Sequence, residues 1–293
     1  MEKNQITILE DRGLICVSGP DAKDFLQNIL SNDVNKVSQS NSICSAIFSP
    51  QGKYLYEFFL IKTKNGYFLD CDDELTEEII SHLSKYKLSS NIEIKNLSSS
   101  YVAGVVNLDK FKELQKLEKT NNETLFFREN IFYIDPRNSN LGARILSNLE
   151  KLYLTIKKLN LQVVNNRDYL NQAHLNGVPI KGTKYLKDQL FGLEANFEQL
   201  NLIDFKKGCY VGQENTARMK LKNKIRRRLM AIKTEENLKI GDELTFNDKV
   251  VGKVLINKPY IFALIKLFDP EYNLFKNEDI FVDGRKVKII NNF

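Results

Sequence analysis

Apolar residues recur along this chain with two periods, and the alternation between them outlines the elements. Ala22, Phe25, Leu26 and Ile29 fall at i, i+3, i+4 and i+7, which places them on one face of a helix. Gly19-Pro20-Asp21 precedes them as a start signal, with proline where its missing N–H is harmless. A second helix is expected over residues 73–88, with Leu75, Ile79, Leu83 and Tyr86 on one side. A third is expected over 111–118, and Leu149, Leu152, Tyr153 and Ile156 mark a fourth. Between these helices the period shortens. Residues 14–17, 67–71 and 101–108 read as strands, 46–62 as a hairpin about Pro50-Gln51-Gly52, and 125–134 as strands around Arg128-Glu129-Asn130.

From Arg228 onward the pattern changes to short strands at close spacing: 229–232, 243–246, 250–256 and 260–267, then a hairpin at Asp283-Gly284. Such spacing predicts a small β-barrel or sandwich. The domain boundary is therefore expected near residue 226, giving a body over 1–226 and a β-module over 227–293. At 293 residues and 42% hydrophobic content the chain is long enough to bury a substantial core in each part.

Charge adds a local feature. The net charge of +6 comes from 43 basic and 37 acidic residues mixed along most of the chain, but the run from Arg218 to Arg228 holds seven basic residues and no acid. Arg218, Lys220, Lys222 and Lys224 recur at every second position, which on a strand puts four cations on one face. Such a face is either a solvated, charged edge or a contact for phosphate or another polyanion. RNA is one candidate, although the run lacks the interleaved aromatic residues that base stacking needs.

Cys16, Cys44, Cys71 and Cys209 form no CxxC pair and have no histidine at ligand spacing, so no metal site is expected. His82 and His174 are the only histidines, and a Ser-His-Asp triad would need one of them. Reduced cysteines, the absence of an apolar signal core at the start, and no stretch long enough to span a bilayer give a cytoplasmic placement with no membrane contact.

One stretch stands apart. In Lys207-Gly208-Cys209-Tyr210-Val211-Gly212-Gln213-Glu214 two glycines bracket a cysteine too closely for a helix core, so a structured loop is expected. Lys206 or Lys207 would favour a thiolate at Cys209, while a packed small residue in a turn is the plain alternative. Gln213 and Glu214 suit either a bound heterocycle or the cap of a following helix.

This stretch, with Ala217-Arg218 after it, resembles the K-G-C-[FY]-x-G-Q-E signature of the YgfZ-like folate-binding proteins, relatives of the glycine cleavage aminomethyltransferase (T-protein). The residues at 17–22, 25–27, 32–34, 50–53, 177–179 and 193–197 are similar to further family segments, so the likeness spans roughly 9–232. It implies an α+β fold of two interwoven subdomains and a C-terminal β-barrel around a folate-sized hole. It also implies a tetrahydrofolate-dependent role in assembly or repair of iron-sulfur clusters, supporting cluster enzymes including tRNA-modifying ones. The partners implied are folate and iron-sulfur enzymes or assembly proteins.

Residue by residue, the resemblance gives Cys209 and Lys207 the chemistry and makes Gly208, Tyr210, Gly212, Gln213, Glu214 and Arg218 the signature loop. It gives folate contact to Glu194 and Asn196, and to Arg12 and Tyr169, which stand where relatives carry tryptophan. Leu175 and Leu193 also depart from the family pattern. Two other functions remain open: transfer of an aminomethyl-derived one-carbon unit to tetrahydrofolate, in which Asp33 would supply a carboxylate, and RNA binding through the basic run.

Overall fold

The computed structural model describes residues 1–222 and 225–290. Among these described residues eleven strands precede the β-module: β1 Gln5–Leu9, β2 Arg12–Ser18, β3 Ile43–Phe48, β4 Tyr54–Thr63, β5 Gly66–Asp72, β6 Glu93–Asn96, β7 Val102–Val106, β8 Thr124–Phe127, β9 Asn130–Ile134, β10 Ala143–Ser147 and β11 Gln162–Val164. The helices are α1 Ala22–Ile29, α2 Thr76–Tyr86, α3 Leu108–Leu117, α4 Leu149–Lys158, α5 Arg167–Leu175 and α6 Gln213–Leu221. The module adds β12 Arg227–Lys233, β13 Glu243–Phe246, β14 Lys249–Ile256, β15 Ile261–Lys266, β16 Ile280–Val282 and β17 Arg285–Ile290.

Two compact units share the chain, and their segments alternate along it. The first comprises Met1–Ile47, Tyr56–Tyr169 and Asn201–Tyr210; the second comprises Phe48–Leu55, Leu170–Leu200 and Val211–Phe293. The first unit is α+β. It holds a six-stranded sheet in the order β11-β1-β7-β10-β9-β8 and most of a five-stranded one in the order β3-β4-β5-β2-β6. Ile6, Phe111, Leu114, Phe132, Ile145 and Leu152 form one apolar cluster where α3 and α4 cover the six-stranded sheet.

Side chains decide where these helices begin. Asn107 accepts a hydrogen bond from the Asp109 N–H and Asn148 one from the Lys151 N–H, so α3 and α4 start on capping residues. For α3 this moves the start to Leu108, ahead of the expected 111. Pro20 lies one residue before the N-cap Asp21, outside α1 rather than in its first turn. In α4 the buried residues are Leu152 and Thr155, while Leu149 and Tyr153 face outward, so the apolar stripe is turned from the expected one.

In the second unit β12-β15-β14-β13-β16-β17 close into a six-stranded barrel through the pairing of β17 with β12. Closure removes the open edges that a sandwich leaves. Alternate residues point inward, and Met230, Leu244, Val251, Ile265, Phe275 and Val287 fill the interior. Phe275 is fully buried. Phe275→Ala is expected to cost about 3–5 kcal/mol, as large-to-small core changes do. Urea unfolding followed by far-UV circular dichroism checks it, and a loss below ~1 kcal/mol would contradict the packing described.

Candidate functional site

The basic run is helical in its first part and extended in its last: Arg218 to Leu221 lie in a helix, and Arg227 and Arg228 open strand β12. Residues 213–221 form α6, so Arg218 and Lys220 lie on a helical surface and Lys222 is its C-cap; Lys224 lies outside the described residues. The misreading has a physical source: every-second spacing of cations reads as a strand only if the backbone is extended. Signals for a helix were present, since Glu214 stands in the first turn and Arg218 and Lys220 in the last, as the helix dipole favours. Lys220 pairs with Glu198. Gln213 and Glu214 belong to the helix itself, and Arg218 is exposed.

Gly212 starts this helix with φ +80°, in the left-handed region. A Cβ there would lie 2.3 Å from the Ser49 carbonyl oxygen and 2.9 Å from Phe48 Cβ. The turn at 49–52 therefore abuts the start of α6, and the Asn215 amide donates to the Gln51 carbonyl at 2.6 Å. Glycine is required at 212 by both conformation and space.

Upstream, in the first unit, Cys209 is exposed, whereas Cys16, Cys44 and Cys71 are buried. Burial raises the thiol pKa of all three, that of Cys71 to about 12. Lys207 is buried, and its ammonium donates to the backbone carbonyls of Gln27 at 2.7 Å, Leu30 at 2.5 Å and Asn32 at 3.2 Å. These carbonyls belong to the end of α1 and the turn after it, where the helix dipole favours a cation. The Tyr210 ring lies 5.0 Å from the same nitrogen. Burial lowers the Lys207 pKa to about 8, opposed by the Asp33 and Asp204 carboxylates. Lys207 thus spends its three donors on backbone.

Glu194 and Asn196 are also occupied. The Glu194 carboxylate accepts from Arg227 Nε at 2.9 Å, from Arg227 Nη2 at 3.2 Å and from the Phe191 N–H at 3.0 Å. Asn196 donates to the Leu229 carbonyl at 2.7 Å and accepts from Arg228 Nη1 at 2.8 Å. Both side chains tie the 191–197 segment to β12 within the second unit.

Arg12 and Tyr169 meet in a buried network that the sequence reading missed. Asp70, fully buried, accepts from Arg12 Nε at 2.6 Å, from the Tyr133 hydroxyl at 2.6 Å and from Arg144 Nε at 3.0 Å. Arg144 Nη1 donates to the Tyr169 hydroxyl at 3.3 Å, and Tyr169 is 2% exposed. Despite burial, which pushes it up, the Asp70 carboxyl is held below its ordinary value by Arg12 and Arg144. Beside it Arg137 makes a two-pronged pair with Asp135, and its guanidinium lies 4.6 Å from the Phe59 ring. The available signal was Arg144, a charged residue inside the otherwise apolar strand β10, with Asp-Pro-Arg at 135–137 in the turn after β9.

A cavity of about 430 Å³ opens in the same unit, lined by Asn32, Lys36, Asp135, Arg137, Asn138 and Asn201 among others. Its volume is that of a small-ligand pocket. Its cations are matched internally, Arg137 by Asp135 and Lys36 by Asp204 at 2.8 Å. Neither histidine is placed for a triad: His174 is buried with Nε2 on the Ile261 carbonyl, and His82 packs between the Tyr56 and Tyr86 rings.

The four residues nominated for tetrahydrofolate do not fit a direct role as arranged. Arg12 is paired with Asp70, which it shares with Arg144, Tyr169 is enclosed, and Glu194 and Asn196 are engaged by β12.

Fold and loop together define a protein of the aminomethyltransferase fold that presents a lone thiol. Aminomethyltransferase T of the glycine cleavage system from Bartonella henselae superposes with a TM-score of 0.74 at 13% identity, covering 98% of this chain and 86% of that one, a likeness that concerns the fold. No family model matches the chain. Curated relatives are mitochondrial iron-sulfur cluster assembly factors of the IBA57 type. The Dictyostelium discoideum homolog is 27% identical, with 94% of this chain and 78% of that protein covered. For the Neurospora crassa homolog the figures are 27%, 77% and 52%, and for the mouse protein 28%, 78% and 65%. The chain is thus a relative of these assembly factors, in keeping with the YgfZ-like signature, and it spans between half and four-fifths of the length of these three.

That the relatives are mitochondrial overturns the cytoplasmic expectation. Reduced thiols separate reducing from oxidising surroundings and do not distinguish one reducing compartment from another. Among the described residues no helix is long and apolar enough to cross a membrane.

Asp70→Asn is expected to cost about 3–5 kcal/mol, because it leaves two buried guanidinium groups without their carboxylate. The pH dependence has a definite sign. A folded-state pKa below the ordinary 3.8 adds stability above that value and loses it as pH falls through the folded value. Acid unfolding of Asp70→Asn should therefore be shallower than that of the wild type. Equal slopes in urea titrations at stepped pH would show that Asp70 does not carry the effect.

Proposed function

We propose that this chain is an iron-sulfur cluster assembly factor in which Cys209 is the working thiol. One observation carries the reading: an exposed cysteine in a Lys-Gly-Cys-Tyr-Val-Gly-Gln-Glu loop, on a chain whose curated relatives are assembly factors for such clusters. A thiolate is a soft ligand suited to iron-sulfur chemistry, and an exposed one is open to a partner. Lys207 contributes through placement, since its donors are spent on backbone carbonyls.

Tetrahydrofolate belongs to the proposal through the fold, which an aminomethyltransferase shares. With the four nominated residues occupied elsewhere, no step is assigned to the folate. Cluster proteins are the proposed partners, including tRNA-modifying enzymes. The RNA reading loses its main support because Arg218 and Lys220 lie on a helix, so the one-faced strand of cations is not formed there.

The same fold favours aminomethyl transfer as the second reading. An assay with a lipoylated carrier protein separates the two, since robust folate-dependent ammonia release would replace the assembly role.

Cys209→Ala is expected to melt within ~2 °C of the wild type, as an exposed side chain should. It should fail to restore cluster-dependent enzymes in cells lacking the protein. Full restoration removes Cys209 from the function. Isothermal titration of tetrahydrofolate into the wild type should give saturable binding, and its absence would remove folate from the reading.

A further inference from the structure

The two residues before the thiol are dissimilar in environment, and the difference bears on how Cys209 is used. Lys207 is 8% exposed and anchored through three carbonyls to the end of α1 and the turn that follows it. That turn is itself braced. The Ser31 hydroxyl donates to the Leu202 carbonyl at 2.6 Å, and the Asn32 amide to the Cys44 and Asn201 carbonyls at 2.8 and 2.7 Å. Asp204 accepts from the Lys206 N–H at 2.7 Å and from Lys36. The segment entering the loop is therefore fixed up to Lys207.

Gly208 is the opposite case. Its φ lies outside the left-handed region, and a Cβ built on it meets nothing within 4 Å. Neither conformation nor packing within the described residues requires glycine there. Gly212, four positions on, has both requirements. A bare backbone that the chain itself does not need, next to an exposed thiol, leaves room for something outside the chain to approach.

We propose that Lys207 and Gly208 are the positioning residues of Cys209: Lys207 pins the backbone that carries the thiol, and Gly208 keeps the approach to it clear for a bulky partner. The inference rests on the reading of Cys209 as the working thiol. The approaching object is a protein surface or a metal-sulfur group, large compared with a small electrophile. Lys207 acts by hydrogen bonds to backbone, so a substitute must reproduce several donors at that spot. Gly208 acts by absence, so any side chain there obstructs.

Thiol modification of the full-length protein tests this, because the other cysteines are buried with raised pKa and Cys209 dominates the signal at neutral pH. Gly208→Val should keep the wild-type melting temperature and react with iodoacetamide at nearly the wild-type rate. Its reaction with pyrene maleimide should slow by roughly tenfold, about 1.4 kcal/mol of added barrier. Equal effects on the two reagents, or none, overturn the clearance role.

For Lys207, hydrogen exchange of the peptide covering 204–212 is the readout. Lys207→Met should exchange faster there with α3 and the barrel unchanged, and Lys207→Arg should recover part of the protection. Unchanged exchange in Lys207→Met overturns the anchor role. If that variant does not fold, the wild type decides: slow exchange at 206–208 supports the anchor, and exchange at the rate of free peptide overturns it. These measurements do not involve clusters. Failure of Cys209→Ala to lose function would defeat the functional reading and leave them standing, while a negative result here would leave that reading intact.

Discussion

The first unit depends on one buried carboxylate. Asp70 on β5 is fully enclosed, and its oxygens take donors from Arg12 on β2, from Tyr133 on β9 and from Arg144 on β10. Its partners thus come from both sheets of the unit. A charge removed from water this completely is tolerated only when its attraction to opposite charges and its hydrogen bonds offset the desolvation. Arg12, Arg137 and Arg144 also lie 5.8, 4.6 and 4.4 Å from the Phe59 ring, whose negative face offsets part of their burial. The network is specific because each member is costly without the others.

Residues named by resemblance have internal partners in this structure. By resemblance, a ligand-facing role was the expectation for Arg12 and Tyr169. Here the Arg12 guanidinium is matched to Asp70 and the Tyr169 hydroxyl to Arg144. Glu194 and Asn196 are likewise bound to Arg227 and Arg228. The common physical reason is burial: a polar side chain enclosed by protein must find partners, and in this chain those partners are internal. In the signature stretch the Cys209 thiol is exposed, together with Glu214 and Arg218 on α6.

How much was legible from the residues follows the same division. The barrel was readable because its strands are short, alternating and separated by turn residues such as Asn247-Asp248 and Asp283-Gly284, all of them local signals. Helix α1 was readable because its four apolar positions are the four that are buried. Strand β10 was not, since Arg144 interrupts its apolar pattern and is buried only because Asp70, far away in sequence, balances it. Helix α6 was misread because its polar composition has no apolar stripe and its cation spacing matches an extended chain. The loop itself was legible by resemblance, whereas the task of Lys207 was not, because its acceptors lie at 27, 30 and 32.

The signature loop therefore carries two glycines for different reasons. Gly212 is fixed from within: its left-handed φ and the Ser49 carbonyl leave no room for a side chain. Gly208 has room, and the neighbouring lysine is sunk into the protein while the neighbouring cysteine is exposed. A thiol that served only packing would be covered, and a backbone free to move would not need a buried ammonium to hold it. Anchoring before the cysteine and bareness beside it make sense together if the thiol must be met from outside in a fixed place. This requirement suits a cysteine that hands over or receives a metal-sulfur group, because exchange between two proteins needs close approach of backbones and a ligand that does not wander.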